Sequence, residues 1–310
     1  MSKYFGRIFV PQEYGLEYCK SPQAVAFDTF VRIYFSYCVP DGEKLISKVA
    51  FAEYDKSFSE VKRVKTDVMS GGKLGAFDEH GIFPFSPFFD GGVLKAITTG
   101  WSRRQSVSTE TALGLAVSND NGETFSRVGD GPALAPSLNE PYLVADGFVY
   151  KRNEHEYMMY YIFGTEWENY QESHEPERTY KIALATSKNL LDWKRTGEPI
   201  IPDRIDREAQ ALPSVVEWNG KYHMVFCYRD SVGFRQDYSR SYRLGYAVSD
   251  DLYHWTRDDA ALSFVTKEEW AAEMQCYPNF FTMDGRLYLL YNGNHFGKNG
   301  FGLVECGDEL

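Results

Sequence analysis

Acidic side chains recur just before the apolar, strand-forming segments of this chain. Two carboxyl groups beside one substrate can share acid–base work, because one stays protonated to donate a proton while the other stays ionised to activate a nucleophile. The acids placed for such a role are Asp78, Glu79, Glu140 and Glu208. These four are candidate catalytic residues. The alternative is that they cap loops or pair with nearby arginines.

Cationic and aromatic side chains cluster in the loops that follow the second strand of two segments. Arg229 and Arg235 lie in one loop, and Trp101 and Arg103 occupy the equivalent loop of another segment. Guanidinium groups bind carboxylates, phosphates and paired hydroxyls well. The alternative is that these arginines form surface salt bridges in an acidic protein. Further candidate binding residues towards the end of the chain are Tyr277, Asn294 and His295.

One short apolar phrase with small residues recurs five times, at a spacing of roughly 60 residues. Each copy follows a proline-led strand, a turn and a second, more apolar strand. A repeat of this size built only of strands predicts an all-β fold, a five-bladed β-propeller. The copies cover residues 49–52, 113–118, 183–187, 244–249 and 301–304, and the prolines taken to open the first strands are Pro22, Pro87, Pro141, Pro213 and Pro278.

These repeats predict a single propeller domain spanning residues 1–310. The fifth repeat ends before its outer strand, so the spare strand at 7–10 is predicted to complete the fifth blade and remove an exposed edge. Good helix formers are concentrated at 267–274, where a short helix is predicted. The predicted blades cover approximately 18–68, 78–130, 138–200, 207–262 and 273–306.

Composition narrows the possible partners. The net charge of −11 disfavours nucleic acid and anionic lipid as partners. No apolar run reaches the roughly 18 residues of a membrane helix. The five cysteines show no paired spacing, which predicts free thiols and a cytoplasmic protein. The histidines are scattered without the spacing of a zinc site, so no metal site is predicted.

Two of the repeats carry a more specific pattern. Residues 185–193 (ATSKNLLDW) and 247–255 (AVSDDLYHW) resemble the A-x-S-x-D-x-x-x-W blade signature of five-bladed propeller glycosidases, namely glycoside hydrolase families 43, 32/68 and 130 and their unassigned relatives. Residues 291–297 with 300–302 resemble the last blade of family-43-like proteins from bacterial surface-polysaccharide loci. The resemblance covers nearly the whole chain.

The resemblance implies three carboxylates around the central channel: a first-blade Asp as base or nucleophile, a second Asp that tunes pKa values, and a Glu as general acid. On this basis Glu208 is the expected proton donor, and Glu140 with Asp78 or Glu79 supplies the other carboxylates. The first-blade Asp normally precedes the proline of the strand, where this chain has Ser21. Some family-43 relatives hold a calcium ion in the channel, but nothing in this sequence supports one, and no cofactor is expected.

The resulting expectation is a glycosidase-like enzyme that cleaves or transfers a glycosyl group of a carbohydrate or activated sugar. Two alternatives stay open. The chain could be a non-catalytic carbohydrate-binding propeller, because Ser21 replaces an expected acid. It could also be a sugar phosphorylase or transferase, in which a second substrate supplies the nucleophile and the arginines hold phosphate.

Overall fold

The computed structural model describes residues 2–265, 268–307 and 310. Its strands form five antiparallel four-stranded sheets arranged as the blades of a propeller. The N-terminal strand is β1 (Lys3–Phe9). Blade I contains β2 (Lys20–Ala26), β3 (Phe30–Asp41), β4 (Lys44–Asp55) and β5 (Val61–Met69). Blade II contains β6 (Ile82–Asp90), β7 (Val93–Arg103), β8 (Thr109–Val117) and β9 (Ser126–Arg127).

The remaining three blades repeat this order. Blade III contains β10 (Val144–Asn153), β11 (Glu156–Glu168), β12 (Glu177–Ser187) and β13 (Lys194–Arg195). Blade IV contains β14 (Glu208–Trp218), β15 (Lys221–Asp230), β16 (Arg243–Ser249) and β17 (Thr256–Arg257). Blade V contains β18 (Cys276–Met283), β19 (Arg286–Asn292) and β20 (Phe301–Glu305), with β1 as its outer strand.

The predicted closure of the ring is confirmed. Strand β1 pairs with β20 in antiparallel register, with Phe9 opposite Phe301. The rings of these two residues stack with their centroids 4.9 Å apart. The strand begins at Lys3, earlier than the predicted residue 7. Because β1 supplies the outer strand, the last blade has four strands like the others, and β20 is paired on both sides.

The repeated Ala-x-Ser phrase forms the turn that links the third and fourth strands of a blade. The Ser187 hydroxyl accepts a hydrogen bond from the backbone N–H of Leu190, and the Ser249 hydroxyl accepts one from Leu252, both at 3.0 Å. The side chains of Asn189 and Asp251 cap the same turns. A hydroxyl and a short polar side chain at these positions satisfy backbone groups that the turn would otherwise leave unpaired.

Helical structure in the described residues is limited to short 3-10 turns. The helix predicted at 267–274 appears only as a 3-10 turn at Glu269–Ala271. Lys267, the first residue of that prediction, lies outside the described residues. The other 3-10 turns are Pro11–Tyr14, Tyr238–Arg240 and Asp259–Leu262. No helix among the described residues is long and apolar enough to cross a membrane.

Candidate functional site

All five innermost strands carry an irregularity at the same place. The antiparallel register between the first and second strand of each blade shifts there, as in a β-bulge. Such bulges re-aim a side chain and are common beside functional sites. The bulged residues are Ser21, Phe83, Asp146, Leu212 and Tyr277, and all except Phe83 have φ between +51° and +56°. We call these five the bulge positions.

The third blade differs from the other four in the residue that follows its bulge position. Proline follows on the other blades, whereas Gly147 follows Asp146. A Cβ atom on Gly147 would lie 2.7 Å from Ile97 Cγ2, so the close packing of the two blades requires glycine here. The sequence-based alignment of the inner strands was therefore wrong on two blades. Pro87 lies within β6, and Pro141 lies before β10 begins.

The bulge positions surround a pocket with a volume of about 770 Å³. This size falls within the range of roughly 300–1,000 Å³ that is usual for small-molecule sites. Four of the five bulged residues line the pocket, namely Phe83, Asp146, Leu212 and Tyr277. Aromatic side chains form much of the remaining wall. The rings of Phe83 and Tyr277 meet edge-on with their centroids 5.4 Å apart. The ring centroid of Tyr242 lies 5.7 Å from that of Tyr277.

Asp146 supplies the pocket's carboxyl group: of the described residues that line the pocket, it alone is acidic. Its Oδ2 accepts a hydrogen bond from the backbone N–H of Leu212 at 3.1 Å, and its own N–H donates to Thr99 Oγ1 at 2.9 Å. Burial raises the pKa of Asp146 to about 7, against the opposing effects of the Leu212 N–H and the nearby Arg178 charge. A carboxyl group with this pKa can hold a proton near neutral pH and release it to a substrate.

Five cationic side chains line the same pocket, although the protein as a whole is acidic. Two of them already have carboxylate partners: Arg235 binds Glu177 through both carboxylate oxygens, and Lys298 lies 3.4 Å from Glu17. The other three, Lys20, Arg178 and Arg229, have no carboxylate within 4.0 Å among the described residues. The pocket therefore has a surplus of positive charge.

Arg229 is the most deeply buried of these cations, with 1 % of its surface exposed. Its guanidinium donates to the backbone oxygens of Asp230 and Ser231 and to the Tyr180 hydroxyl, and it stacks 3.6 Å from the Phe234 ring centroid. The Tyr180 hydroxyl in turn bonds to that of Tyr242. This network holds two tyrosines rigidly in the pocket wall.

The four acids predicted to be catalytic do not line this pocket. Asp78, Glu140 and Glu208 are at most 1 % exposed, and each pairs with an arginine on the outer strand of its own blade. The pairs are Asp78–Arg127 at 2.7 Å, Glu140–Arg195 at 2.6 Å and Glu208–Arg257 at 2.6 Å. Their repetition on three blades fits a structural role, because a buried carboxylate needs a compensating charge.

Glu79, the fourth predicted acid, also serves its own loop. It accepts a hydrogen bond from the Gly75 N–H, and its other oxygen lies 3.2 Å from His80 Nδ1. The structure thus does not bring these four side chains together at the pocket, and their catalytic role stays a prediction. They lie away from the pocket because these acids precede the bulge by several residues, and their side chains turn into the blade.

The predicted binding residues divide into two groups. Those that line the pocket are Trp101, Arg229, Arg235, Tyr277 and His295. Arg103 and Asn294 do not. Arg103 pairs with Asp41 at 2.8 Å, and buried Asn294 accepts hydrogen bonds from the N–H groups of Glu273 and Met274, both at 3.0 Å. Asn294 thus holds its loop in place and is turned away from the pocket.

Asp146, Lys20 and Arg178 line the pocket but were not predicted from the sequence. A signal for the first existed: Asp146-Gly147 falls at the blade position where the other inner strands have a residue followed by proline. Aspartate and glycine together are typical of turns, which hid that position. No grouping of three or more His, Cys, Asp or Glu side chains that could hold a metal ion is found in residues 2–265, 268–307 and 310.

Comparison with known proteins gives relatives by sequence but no match to a protein-family model. An uncharacterized protein of Mycobacterium tuberculosis is 27 % identical over 328 residues, covering 96 % of this chain and 97 % of the relative. A 1,2-beta-oligomannan phosphorylase of a Thermoanaerobacter species is 33 % identical over 150 residues, which is 46 % of this chain and 40 % of the relative.

Solved structures match over nearly the whole chain. A structure described as a glycoside hydrolase has a TM-score of 0.72 at 16 % identity and covers 93 % of this chain and 87 % of its own. A GH43_1 enzyme from Xanthomonas citri complexed with xylose has a TM-score of 0.62 at 14 % identity, covering 97 % and 89 %. At these identities the likeness shows the fold. The chain is thus a five-bladed β-propeller that resembles the propeller glycoside hydrolases.

Proposed function

We propose that this protein is a sugar-active enzyme that transfers a glycosyl group to phosphate, with Asp146 as the proton donor. The observation that carries the proposal is the charge pattern of the pocket. It offers one carboxyl group, with a pKa of about 7, and three cations without carboxylate partners among the described residues. Hydrolysis by the usual route needs two carboxyl groups, one as acid and one to activate water or attack.

A phosphate nucleophile removes the need for the second carboxyl group. A phosphate oxygen attacks the anomeric carbon and forms a new C–O bond. The glycosidic C–O bond breaks, its electron pair goes to the leaving oxygen, and that oxygen takes the proton from Asp146. Asp146 then regains a proton from solvent. Oδ2 is held by the Leu212 N–H, so Oδ1 is the oxygen free to deliver the proton.

In this proposal Lys20 holds the attacking phosphate. It directly precedes the bulge position of blade I, where the other four inner strands have uncharged residues, Ile82, Ala145, Ala211 and Cys276. Its ammonium lies 4.8 Å from the Tyr18 ring centroid and 5.5 Å from that of Phe83. Blade I is not adjacent to blade III, so Lys20 and Asp146 line the pocket from two non-neighbouring blades, an arrangement that suits an acid and a nucleophile acting on opposite faces of a sugar.

The comparison with relatives supports the same reaction class. The aligned Thermoanaerobacter relative is named a phosphorylase, and a phosphorylase uses phosphate as its nucleophile. The five cysteines are free thiols, which fits a protein of a reducing compartment such as the cytoplasm.

A second candidate is a propeller that binds a carbohydrate without reacting with it. It is favoured by Ser21, Phe83, Leu212 and Tyr277, which place no ionisable carboxyl group at four of the five bulge positions. The aromatic wall and the tyrosine hydroxyls would then provide affinity alone.

The test uses the reaction in reverse, because sugar 1-phosphates are a small set of donors. The protein is incubated with each hexose 1-phosphate and a panel of free sugars and short oligosaccharides, and released inorganic phosphate and new glycosides are measured. The proposal predicts phosphate release that requires an acceptor sugar and yields a longer glycoside. Release of free hexose without glycoside would show hydrolysis instead, and saturable binding with no turnover would favour the second candidate.

A further inference from the structure

A second charged feature lies on the wall of the pocket where blades II and III meet. Arg178, near the start of β12, donates through Nη1 to Ser108 Oγ at 3.0 Å and to Thr109 Oγ1 at 3.4 Å. Both partners are neutral, and no carboxylate among the described residues lies within 4.0 Å of this guanidinium. Nη2 and Nε have no hydrogen-bond acceptor in the described part of the chain. The residue thus brings an uncompensated positive charge and unused donors to the pocket.

A buried hydroxyl lies in the same wall. Thr111 Oγ1 has no hydrogen-bond partner among the described residues, although it is shielded from solvent. Thr109 and Thr111 both line the pocket with Arg178, and Thr111 is directly opposite Trp101 in the β7–β8 ladder. Unpaired buried polar groups are rare because each costs free energy, and one that lines a pocket points to a ligand that completes its bonding. We call Arg178, Thr109, Thr111 and Trp101 the Arg178 corner.

The neighbouring cation Arg235 has a carboxylate partner, whereas Arg178 has none among the described residues. Arg235 on the same side of the pocket is already neutralised by Glu177. The protein has 44 acidic side chains, yet none of those described lies within 4.0 Å of the Arg178 guanidinium. A guanidinium flanked by hydroxyls matches the geometry of a phosphate or carboxylate group, each of which accepts several hydrogen bonds.

We propose that the Arg178 corner binds an oxyanion carried by the substrate itself, a phosphate or carboxylate substituent on the leaving-group side of the scissile bond. This inference rests on the proposed glycosyl transfer, since the leaving group is defined by the proton donor Asp146. The Asp146 N–H bonds to Thr99 on β7, the strand that also carries Trp101 of the corner, so the corner lies on the side of the pocket where the leaving oxygen is protonated. The acceptor of the reverse reaction is accordingly an anionic sugar, and the attacking phosphate occupies a separate place at Lys20.

The test is a binding experiment with matched probes. Isothermal titration measures the affinity of the whole protein for glucose 6-phosphate, for glucuronate and for neutral glucose. The inference predicts that at least one anionic probe binds more tightly than glucose, and that Arg178→Met weakens that binding by about 10- to 100-fold while affinity for glucose is unchanged. The control Arg152→Met removes an exposed arginine paired with Glu156 and should leave all three affinities unaltered.

Thr111→Val provides a second variant that preserves shape. Its hydroxyl makes no hydrogen bond to any other described residue, so we expect the variant to fold, and its anionic affinity should fall roughly 5-fold. Preference for the phosphate over the carboxylate probe, or the reverse, identifies which oxyanion the corner accepts. Equal affinity for anionic and neutral probes, or an anionic affinity that survives Arg178→Met, would overturn the inference.

The outcome is separable from that of the proposed reaction. Asp146→Asn should abolish phosphate release and retain binding of the anionic probe. Tight anion binding at Arg178 without phosphate-dependent turnover counts against the proposed reaction alone. Turnover with neutral acceptors and no preference for anionic ones counts against the Arg178 corner alone.

Discussion

Asp146 and Ser21 occupy the same position in two different blades. Each is the bulged residue of an innermost strand, with φ of +56° and +54° respectively. Asp146 lines the pocket, and Ser21 is fully buried with its N–H bonded to Asn292 Oδ1 at 2.8 Å. The resemblance to propeller glycosidases leads us to expect an aspartate at this position of blade I. In this protein blade I has a serine there, and the aspartate is at the equivalent position of blade III.

The raised pKa of Asp146 predicts a specific dependence of stability on pH. Burial raises the pKa from 3.8 to about 7, so between these values the folded state keeps a proton that the unfolded state has released. The stabilisation is present below about pH 4 and is lost as pH rises through about 7. Asp146→Asn removes this effect and still accepts the Leu212 N–H. The wild type should therefore lose stability from pH 5 to pH 8, and the variant should not lose it through this group. The unfolding free energy of the variant minus that of the wild type, measured by urea denaturation, should rise by about 3 kcal/mol over this range. Parallel pH profiles for the two proteins would show that Asp146 is ionised in the folded state.

The same group governs the pH dependence of the reaction. Because the proton donor must be protonated, the rate with saturating substrates should fall as pH rises through about 7. The measurement is initial phosphate release from a sugar 1-phosphate across pH 5 to 9, with unfolding checked at each pH. A rate that rises over this range would mean that the essential group is a base.

Breaking a buried acid–arginine pair should lower the stability of the protein and should not change ligand binding. Arg195→Met leaves Glu140, which is 1 % exposed, without its charge partner, and should cost about 3–5 kcal/mol of unfolding free energy. Lys73→Met removes the partner of Asp130 in an exposed pair and should produce no measurable change. Equal effects of the two substitutions, followed by urea denaturation, would argue against a structural role for the repeated pairs.

Ring closure through β1 predicts a large effect at one phenylalanine. Phe9 is 1 % exposed and stacks on both Phe301 and Tyr14. Phe9→Ala should therefore lower the unfolding free energy by about 3–5 kcal/mol. The matched control is Phe89→Ala, because Phe89 is 43 % exposed and its loss should cost far less. Similar losses in the two variants would indicate that the N-terminal strand adds little to the fold.

The fold could be predicted from the sequence because each blade repeats the same order of strands and turns, with similar residues at matching positions. The phrase around Ser187 and Ser249 forms the same turn in two blades, and a local pattern suffices to show it. The three ion pairs were also visible in principle, because an aromatic residue stands two positions before each arginine: Phe125 before Arg127, Trp193 before Arg195 and Trp255 before Arg257. Their repetition favours a structural role over a catalytic one.

The site was harder to predict because it depends on which way side chains point. Glu208, four residues before the bulged Leu212, turns into the blade and pairs with Arg257, whereas the bulged Asp146 lines the pocket. The third blade hid that position by replacing proline with Gly147. Arg178 reaches the pocket from β12 of the same blade, and its position depends on the packing of blades II and III, because its guanidinium bonds to Ser108 and Thr109.

The most direct test of the account compares two conservative variants in one assay. Phosphate release from a sugar 1-phosphate in the presence of acceptor is measured for wild type, Asp146→Asn and Glu208→Gln, with folding verified by circular dichroism. Asp146→Asn should lower the rate by at least about 100-fold, whereas Glu208→Gln that remains folded should keep the rate within about threefold of wild type. Loss of activity in folded Glu208→Gln, with Asp146→Asn still active, would contradict the proposed role of Asp146 and return the proton donor to the acid on blade IV.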